Sequence, residues 1–267
     1  WIGVIFFIVL CGSTGVYAQE KVPESITEKN AENTVEKPVV KPIVSFGGFV
    51  DTYYGFDFNQ PGARDRSFTT QPARHNEFNI NLAYIEAKLA HERFRGRLAL
   101  QAGTSVQSNY AGEPAVGSVS GPSLLRHIQE AVVGVRVLPK LWIDGGIYFS
   151  HIGLESFISK DNWTYTRSLM SDFSPYYQAG AKVTYEMLEQ LLLQFHVING
   201  WQNVSENNDQ KAVGFQVAFT PSSRWSLTYN NFLGTESGTS WRFFNDLVAK
   251  VSVTDSFQLA AVYDIGM

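Results

Sequence analysis

The stretch Ala212-Val-Gly-Phe-Gln-Val-Ala-Phe219, which Pro221 and Ser222 turn at once into Trp225-Ser-Leu-Thr-Tyr-Asn230, decides the fold. Side chains alternate across a strand, so Val213, Phe215, Val217 and Phe219 share one face while Ala212, Gly214, Gln216 and Ala218 share the other. The first face suits lipid and the second a wet interior. Trp225, Leu227 and Tyr229 then oppose Ser226, Thr228 and Asn230 in the same way. Working outward, the chain between Phe46 and Ile265 holds about eleven stretches of roughly 8 to 14 residues with this alternation. Long polar linkers (59–76, 105–123, 154–174, 199–210 and 234–240) are separated by tight ones (90–93, 138–140, 186–190, 220–224 and 253–256). An up-and-down barrel threaded through a membrane has short turns on one rim and longer loops on the other, whereas a soluble sandwich has no such requirement. The expected fold is therefore all-β, a transmembrane antiparallel up-and-down β-barrel.

The same sorting assigns an inward face to each strand. The first carries Asp51, Tyr53 and Asp57 inward and forces Phe49 there too. In the second, apolar parity slips from Phe78, Ile80 and Leu82 to Ile85, Ala87 and Leu89, which a bulge near Ala83 or Tyr84 accommodates, leaving Glu86 and Lys88 inward. Further along, the inward set is Arg95, Arg97 and Gln101, then Arg126, Glu130 and Arg136, then Asp144 and Tyr148. Gln178 and Lys182, Gln194 and His196, and Gln216 follow, and the last two strands add Arg242, Asp246, Lys250 and Asp264. A Lys or Arg facing lipid at mid-bilayer costs about 2–4 kcal/mol, so strand charges belong on the wet side. Rings of one sign select ions, whereas mixed signs either make a weakly selective passage or pair across strands and stiffen the wall. Arg95 and Arg97 beside Arg126 and Arg136 form a candidate basic ladder. Tyr185, Phe219, Trp225 and Phe257 sit beside the tight turns, where an interfacial aromatic girdle is expected.

The ends read differently. Residues 1–18 combine a short apolar run with Val16-Tyr17-Ala18, a small-x-small pattern, and read as an export signal. Its missing basic start predicts that the chain begins inside that signal. Cys11 is the sole cysteine and lies within it, so the mature chain is expected to have neither disulfides nor thiolate metal sites. Residues 19–42 turn to Glu, Lys, Asn, Thr and Pro and read as a flexible periplasmic lead, leaving 43–267 for the barrel. The formal net charge of −4 gives no footprint for nucleic acid. With the lead periplasmic, odd strands rise and the eleventh ends at the outer surface. Single-chain bacterial barrels have even strand numbers, so the reading expects a strand beyond Met267 and a C-terminally truncated barrel.

Sites for chemistry are sparse. The histidines at 75, 91, 127, 151 and 196 lie on separate segments without metal-ligand spacing. Ser150 and His151 are adjacent and point to opposite faces, so they do not form a nucleophile and base. Asp57-x-Asn59-x-Pro61-Gly62 opens like a calcium loop but has Phe68 at its twelfth position instead of Glu. No catalytic residue, metal ligand or cofactor site is expected.

Several stretches together carry a family likeness. Phe46-Gly-Gly-Phe-Val-Asp-Thr-Tyr-Tyr54, Glu77-Phe-Asn-Ile-Asn81, Ile128-Gln-Glu-Ala131, Gly146-Ile-Tyr-Phe-Ser-His-Ile-Gly-Leu-Glu155, Pro175-Tyr-Tyr-Gln-Ala-Gly180 and Val197-Ile-Asn-Gly-Trp201 resemble the β-barrel porins of the porin-2, OmpL-like type. The likeness runs over nearly all of the chain from about Phe46. It implies a bacterial outer-membrane channel, surrounded by outer-membrane lipid, that passes small hydrophilic solutes or ions and uses no cofactor. A homo-oligomer, trimeric by analogy with other porins, is a further expectation. Loop 154–174, with Phe157, Trp163, Tyr165 and Phe173, is expected to fold inward and narrow the mouth. The rival readings are a non-conducting structural or adhesive barrel, an outer-membrane enzyme and a soluble periplasmic β protein.

Overall fold

Alternating apolar stretches separated by tight polar turns can satisfy their backbone only by pairing with their neighbours, and the chain does this throughout. The computed structural model describes residues 6–11, 41–67, 69–236 and 240–267. Its strands are β1 (Phe6–Cys11), β2 (Ile43–Gly55), β3 (Glu77–Ala90), β4 (Phe94–Ala102), β5 (Ile128–Leu138) and β6 (Leu141–Phe149). They continue with β7 (Tyr177–Leu188), β8 (Leu191–Ile198), β9 (Ala212–Ser222), β10 (Trp225–Thr235), β11 (Trp241–Thr254) and β12 (Phe257–Gly266). From β2 to β12 every strand pairs antiparallel with the next in sequence, giving the expected eleven-strand up-and-down meander. Turns of two or three residues alternate with long loops along the whole order. The sheet is not closed by pairing between its first and last members; β1 instead lies along the outer edge of β12, from Phe6 opposite Tyr263 to Cys11 opposite Gln258. β1 falls within the stretch read as an export signal. The rest of that signal and nearly all of the 19–42 lead lie outside the described residues.

Strands of 8 to 14 residues from β2 onward are long enough to cross a bilayer at a tilt. No described helix is long and apolar enough to do so. The outward face is apolar and bare: Phe46, Val50, Phe78, Ile85, Phe94, Leu98, Val133, Phe195, Phe215, Leu227 and Leu247 are all exposed. Tyr185, Phe219, Trp225 and Phe257 are exposed beside the short turns, with the rings of Phe219 and Trp225 edge to face at 5.7 Å.

Beyond register shifts at four of the tight turns, two bulges adjust the register within the strands. Asp51 pairs with Leu82 and Thr52 with Ile80, so Asn81 is the extra residue; Ala99 pairs with Glu130 and Leu100 with Ile128, so Gln129 is extra. The parity slip in β3 thus occurs at Asn81, two residues before the expected place. It turns Leu82, which the alternation had placed toward lipid, into a fully buried side chain. Gly146 sits at φ +136°, and a Cβ there would lie 2.0 Å from the Ala131 carbonyl, which excludes every other residue. Phe149 and Tyr177, opposite one another at the outer ends of β6 and β7, depart from the lipid face as well. Phe149 packs on Phe157, and Tyr177 stacks on Tyr110 at 4.0 Å.

Candidate functional site

The inward wall from β3 to β6 is charged and internally paired. Arg97 bridges Glu86 (2.6 Å) and Glu130, and Lys88 lies 3.3 Å from Glu86. Arg95 grips both oxygens of Asp144, with Nε 2.6 Å from Oδ1. Arg95 and Arg136 lie over the Trp142 ring at 4.4 and 4.9 Å. The candidate basic ladder is therefore not a run of free cations: Arg95 and Arg97 are committed to carboxylates. The reason is register, which sets Ala99 opposite both Glu86 and Glu130, so that Arg97, two residues away on the same face of β4, meets both carboxylates diagonally. Two of the expected wall residues are not on strands at all. β2 ends at Gly55, leaving Asp57 in the following loop beside Arg66 (3.8 Å), and β5 starts at Ile128, leaving Arg126 in the preceding loop, bonded to Gln107 (2.6 Å).

The wall from β7 to β12 is mostly neutral. Gln216 donates to Asn230 (2.8 Å), Asn230 donates to Asp246 (2.8 Å), and Gln194 lies 3.1 Å from His196. Lys182 rests on the Tyr148 ring at 4.6 Å, and the Tyr148 hydroxyl is 3.4 Å from His196 Nδ1. Asp264 stands directly opposite Asp246, while Arg242 lies over Trp201 at 4.8 Å. Gln101 donates to the Arg126 carbonyl (2.9 Å) and receives the Gln129 amide (3.2 Å).

Loop 150–176 leaves β6, enters the interior and is fastened at several separate places. Asp51 on β2 is buried and accepts from Asn81 (2.7 Å), from Ser159 (2.6 Å) and from the Tyr165 hydroxyl (3.0 Å). The Gly153 N–H donates to Asp246 on β11 (2.7 Å). His151 Nε2 lies 2.9 Å from the Asn231 carbonyl on β10 and therefore donates to it. His151 Nδ1 lies 3.0 Å from Gln178 Oε1. The His151 ring stacks on His196 at 4.0 Å, and the His151 carbonyl accepts from Gln216 (3.0 Å). Ser150 Oγ caps the Ile152 N–H and makes no pair with His151. Met170 and Leu154 pack on Val248 and Val262, while Phe157 and Ile158 join Leu82, Tyr84, Val106 and Tyr110 in the largest buried cluster. Of the four aromatics expected inside, Phe157 is buried and Tyr165 reaches Asp51, but Phe173 is exposed.

Neighbouring loops lock over this one. Gln71 donates to the Phe157 carbonyl (2.8 Å), and Arg167 donates to Thr70 (2.7 Å) while lying 4.2 Å over the Tyr176 ring. Burial holds the Arg167 guanidinium below its ordinary range and pushes the Tyr176 phenol up to about 12. Glu113, buried in loop 103–127, accepts from the Val204 and Ser205 N–H groups (3.1 and 2.7 Å) and from the Tyr177 hydroxyl (2.9 Å), tying three segments together. Sequence reading missed Glu113 and both bulge amides. Nothing in the local pattern marks Glu113, since its partners are about 60 to 90 residues away. Asn81 was signalled by the parity slip alone.

Beneath the loop remains a polar cavity of about 370 Å³, lined among others by His151, Lys182, His196, Gln216, Thr228 and Lys250. Among the described residues no group of three or more His, Cys, Asp or Glu side chains could hold a metal ion. The sequence model of a family described as Putative beta-barrel porin-2, OmpL-like, matches residues 43–267. No curated protein and no solved structure matches the chain.

Proposed function

Because the chain belongs to the β-barrel porin-2, OmpL-like family, we propose that it is a passive diffusion channel of the bacterial outer membrane for small hydrophilic solutes or ions, with loop 150–176 as its constriction. The observation that carries this reading is the fastening of one loop to opposite parts of the wall. Four strand spacings separate β7 from β11, about 19 Å along a flat sheet, yet Gly153, four residues after β6 ends, bonds Asp246 on β11 while Ser159 and Tyr165 bond Asp51 on β2. Only a sheet curled around the loop allows both. A bare apolar exterior, a polar interior and a loop across the passage are the parts a size-limited channel needs.

No step of bond making is assigned to the interior: both ring nitrogens of His151 are engaged, and Ser150 is used as a turn cap. The filled upper interior favours one rival, a structural barrel that does not conduct. Planar-bilayer recording separates the two, since a channel gives discrete conductance steps and a plugged barrel gives none. Excising 156–172 is expected to raise the step size and to speed liposome swelling in larger sugars. Equal step size and equal swelling in the excised protein reject the constriction.

A further inference from the structure

The cavity beneath the loop differs from the rest of the interior in charge. Its lining contains two cations, Lys182 and Lys250, and no carboxylate. Elsewhere the interior cations Arg95, Arg97 and Lys88 are spoken for by Asp144, Glu86 and Glu130. Lys182 stands opposite Asp144 in register, but both oxygens of that carboxylate are occupied by Arg95. Lys250 has no hydrogen bond or ion pair among the described residues, and its neighbours in register are Ser226 and Ala260. It also lines an adjoining crevice with Glu155 and Asp161 and pairs with neither, Glu155 being held by Ser168. Asp246 lies behind Asn230, fully buried, with its Oδ2 filled by Asn230 and Gly153. Between the two lysines the arc β8–β10 presents Gln194, Ser226 and Thr228, an amide and two hydroxyls able to donate to oxyanions.

Two ammonium groups with no salt-bridge partner within reach among the described residues, facing one polar cavity, are poised for a mobile anion. We propose that this cavity is a binding step for small solutes bearing a carboxylate, phosphate or sulfate group, with Lys182 and Lys250 supplying the charge and Ser226, Thr228 and Gln194 the hydrogen bonds. This rests on the channel reading and adds a class of solute to it.

The test uses the full chain in planar bilayers under a potassium chloride gradient at low salt, where screening is weakest. The wild type is expected to favour chloride over potassium. A unit charge about 7 Å away in water changes a local ion population about threefold, so K182Q/K250Q is expected to lower the local anion population about ninefold while raising that of cations, a fall of more than about tenfold in the anion-to-cation permeability ratio, and K182E/K250E to invert the ratio. Millimolar inorganic phosphate is expected to shorten the open dwell of the wild type and not of K182Q/K250Q. A conducting K182Q/K250Q barrel with an unaltered ratio overturns the proposal and leaves the channel intact. A wild type that never conducts removes the channel, and calorimetry of phosphate with the detergent-folded protein then decides the site: binding that K182Q/K250Q abolishes sustains it, and absence of binding to the wild type overturns it.

Discussion

Asp51 shows how much one side chain carries here. Its carboxylate sits on β2, beside the bulge at Asn81, and ties both the bulge amide and two residues of the inserted loop to the wall. Replacing it by alanine strands three buried or half-buried donors, for a loss of about 2–4 kcal/mol in loop anchoring. Asp51→Ala is expected to expose residues 154–174 to limited proteolysis and to raise channel noise; a cleavage pattern equal to the wild type counts against this. His151 is the second anchor, and it titrates. It lies in the loop, outside the strands, and burial holds its imidazole below the ordinary histidine range, with Lys182 also opposing its charge and Asp246 partly offsetting both. A histidine whose folded pKa is depressed contributes fully above its unfolded value near about 6.5, and its contribution is lost as pH falls below that. A proton on His151 also meets the stacked His196 ring at 4.0 Å. Acidification from about pH 7.5 to about 5 is therefore expected to loosen the loop and increase conductance, and His151→Gln to remove that step. A step of the same size in both proteins assigns it to another group.

Among the elements, the strands and the inserted loop follow different rules. Strands obey parity, which sequence displays directly: the ends of β4, β6 and β12 fall within a residue of where alternation starts and stops. The loop obeys partners. Its apolar residues disperse to separate places, Met170 to Val248 and Val262, Phe157 to Tyr176 and Phe149, and Phe173 to the surface. Composition alone made Phe157, Trp163, Tyr165 and Phe173 look equivalent. A disulfide offers an element-scale test that replaces the Asp51 contacts by a covalent tie: Ser159→Cys with Asp51→Cys is expected to form a bond that holds the loop closed and abolishes the acid-induced rise in conductance until a reductant is added. Failure of oxidation to change the acid response argues that the loop does not gate at this end.

For the whole molecule, the two faces of each strand make opposite demands. Phe215 and Gln216 are neighbours in β9, one exposed outward and the other bonded inside. A lysine at Phe215 meets lipid and is expected to cost about 2–4 kcal/mol of folding into vesicles, while a lysine at Gln216 faces the wet cavity and costs less than half of that. Folding titrations into lipid vesicles, read by heat-modifiable gel migration, compare the two. Equal losses contradict the assignment of faces. The apolar exterior also explains why a mildly acidic, moderately polar chain lacks any long apolar run: the apolar residues needed to cover the barrel are spread one in two over eleven strands.

Sequence by itself determined the strand meander and the alternation of long and short connections. Those features are local, set by the two-residue period of the extended backbone and by the chemistry of turns. Tertiary structure decided where the two bulges fall, that Asp57 and Arg126 belong to loops, that Arg95 and Arg97 are neutralised while Lys182 and Lys250 are not, and that loop 150–176 crosses to both β2 and β11. Pairing of charges depends on register between strands up to about 50 residues apart, and the seating of the loop depends on partners about 90 to 110 residues away. A periodic pattern fixes which way a side chain points, and only the curled sheet fixes what it meets there.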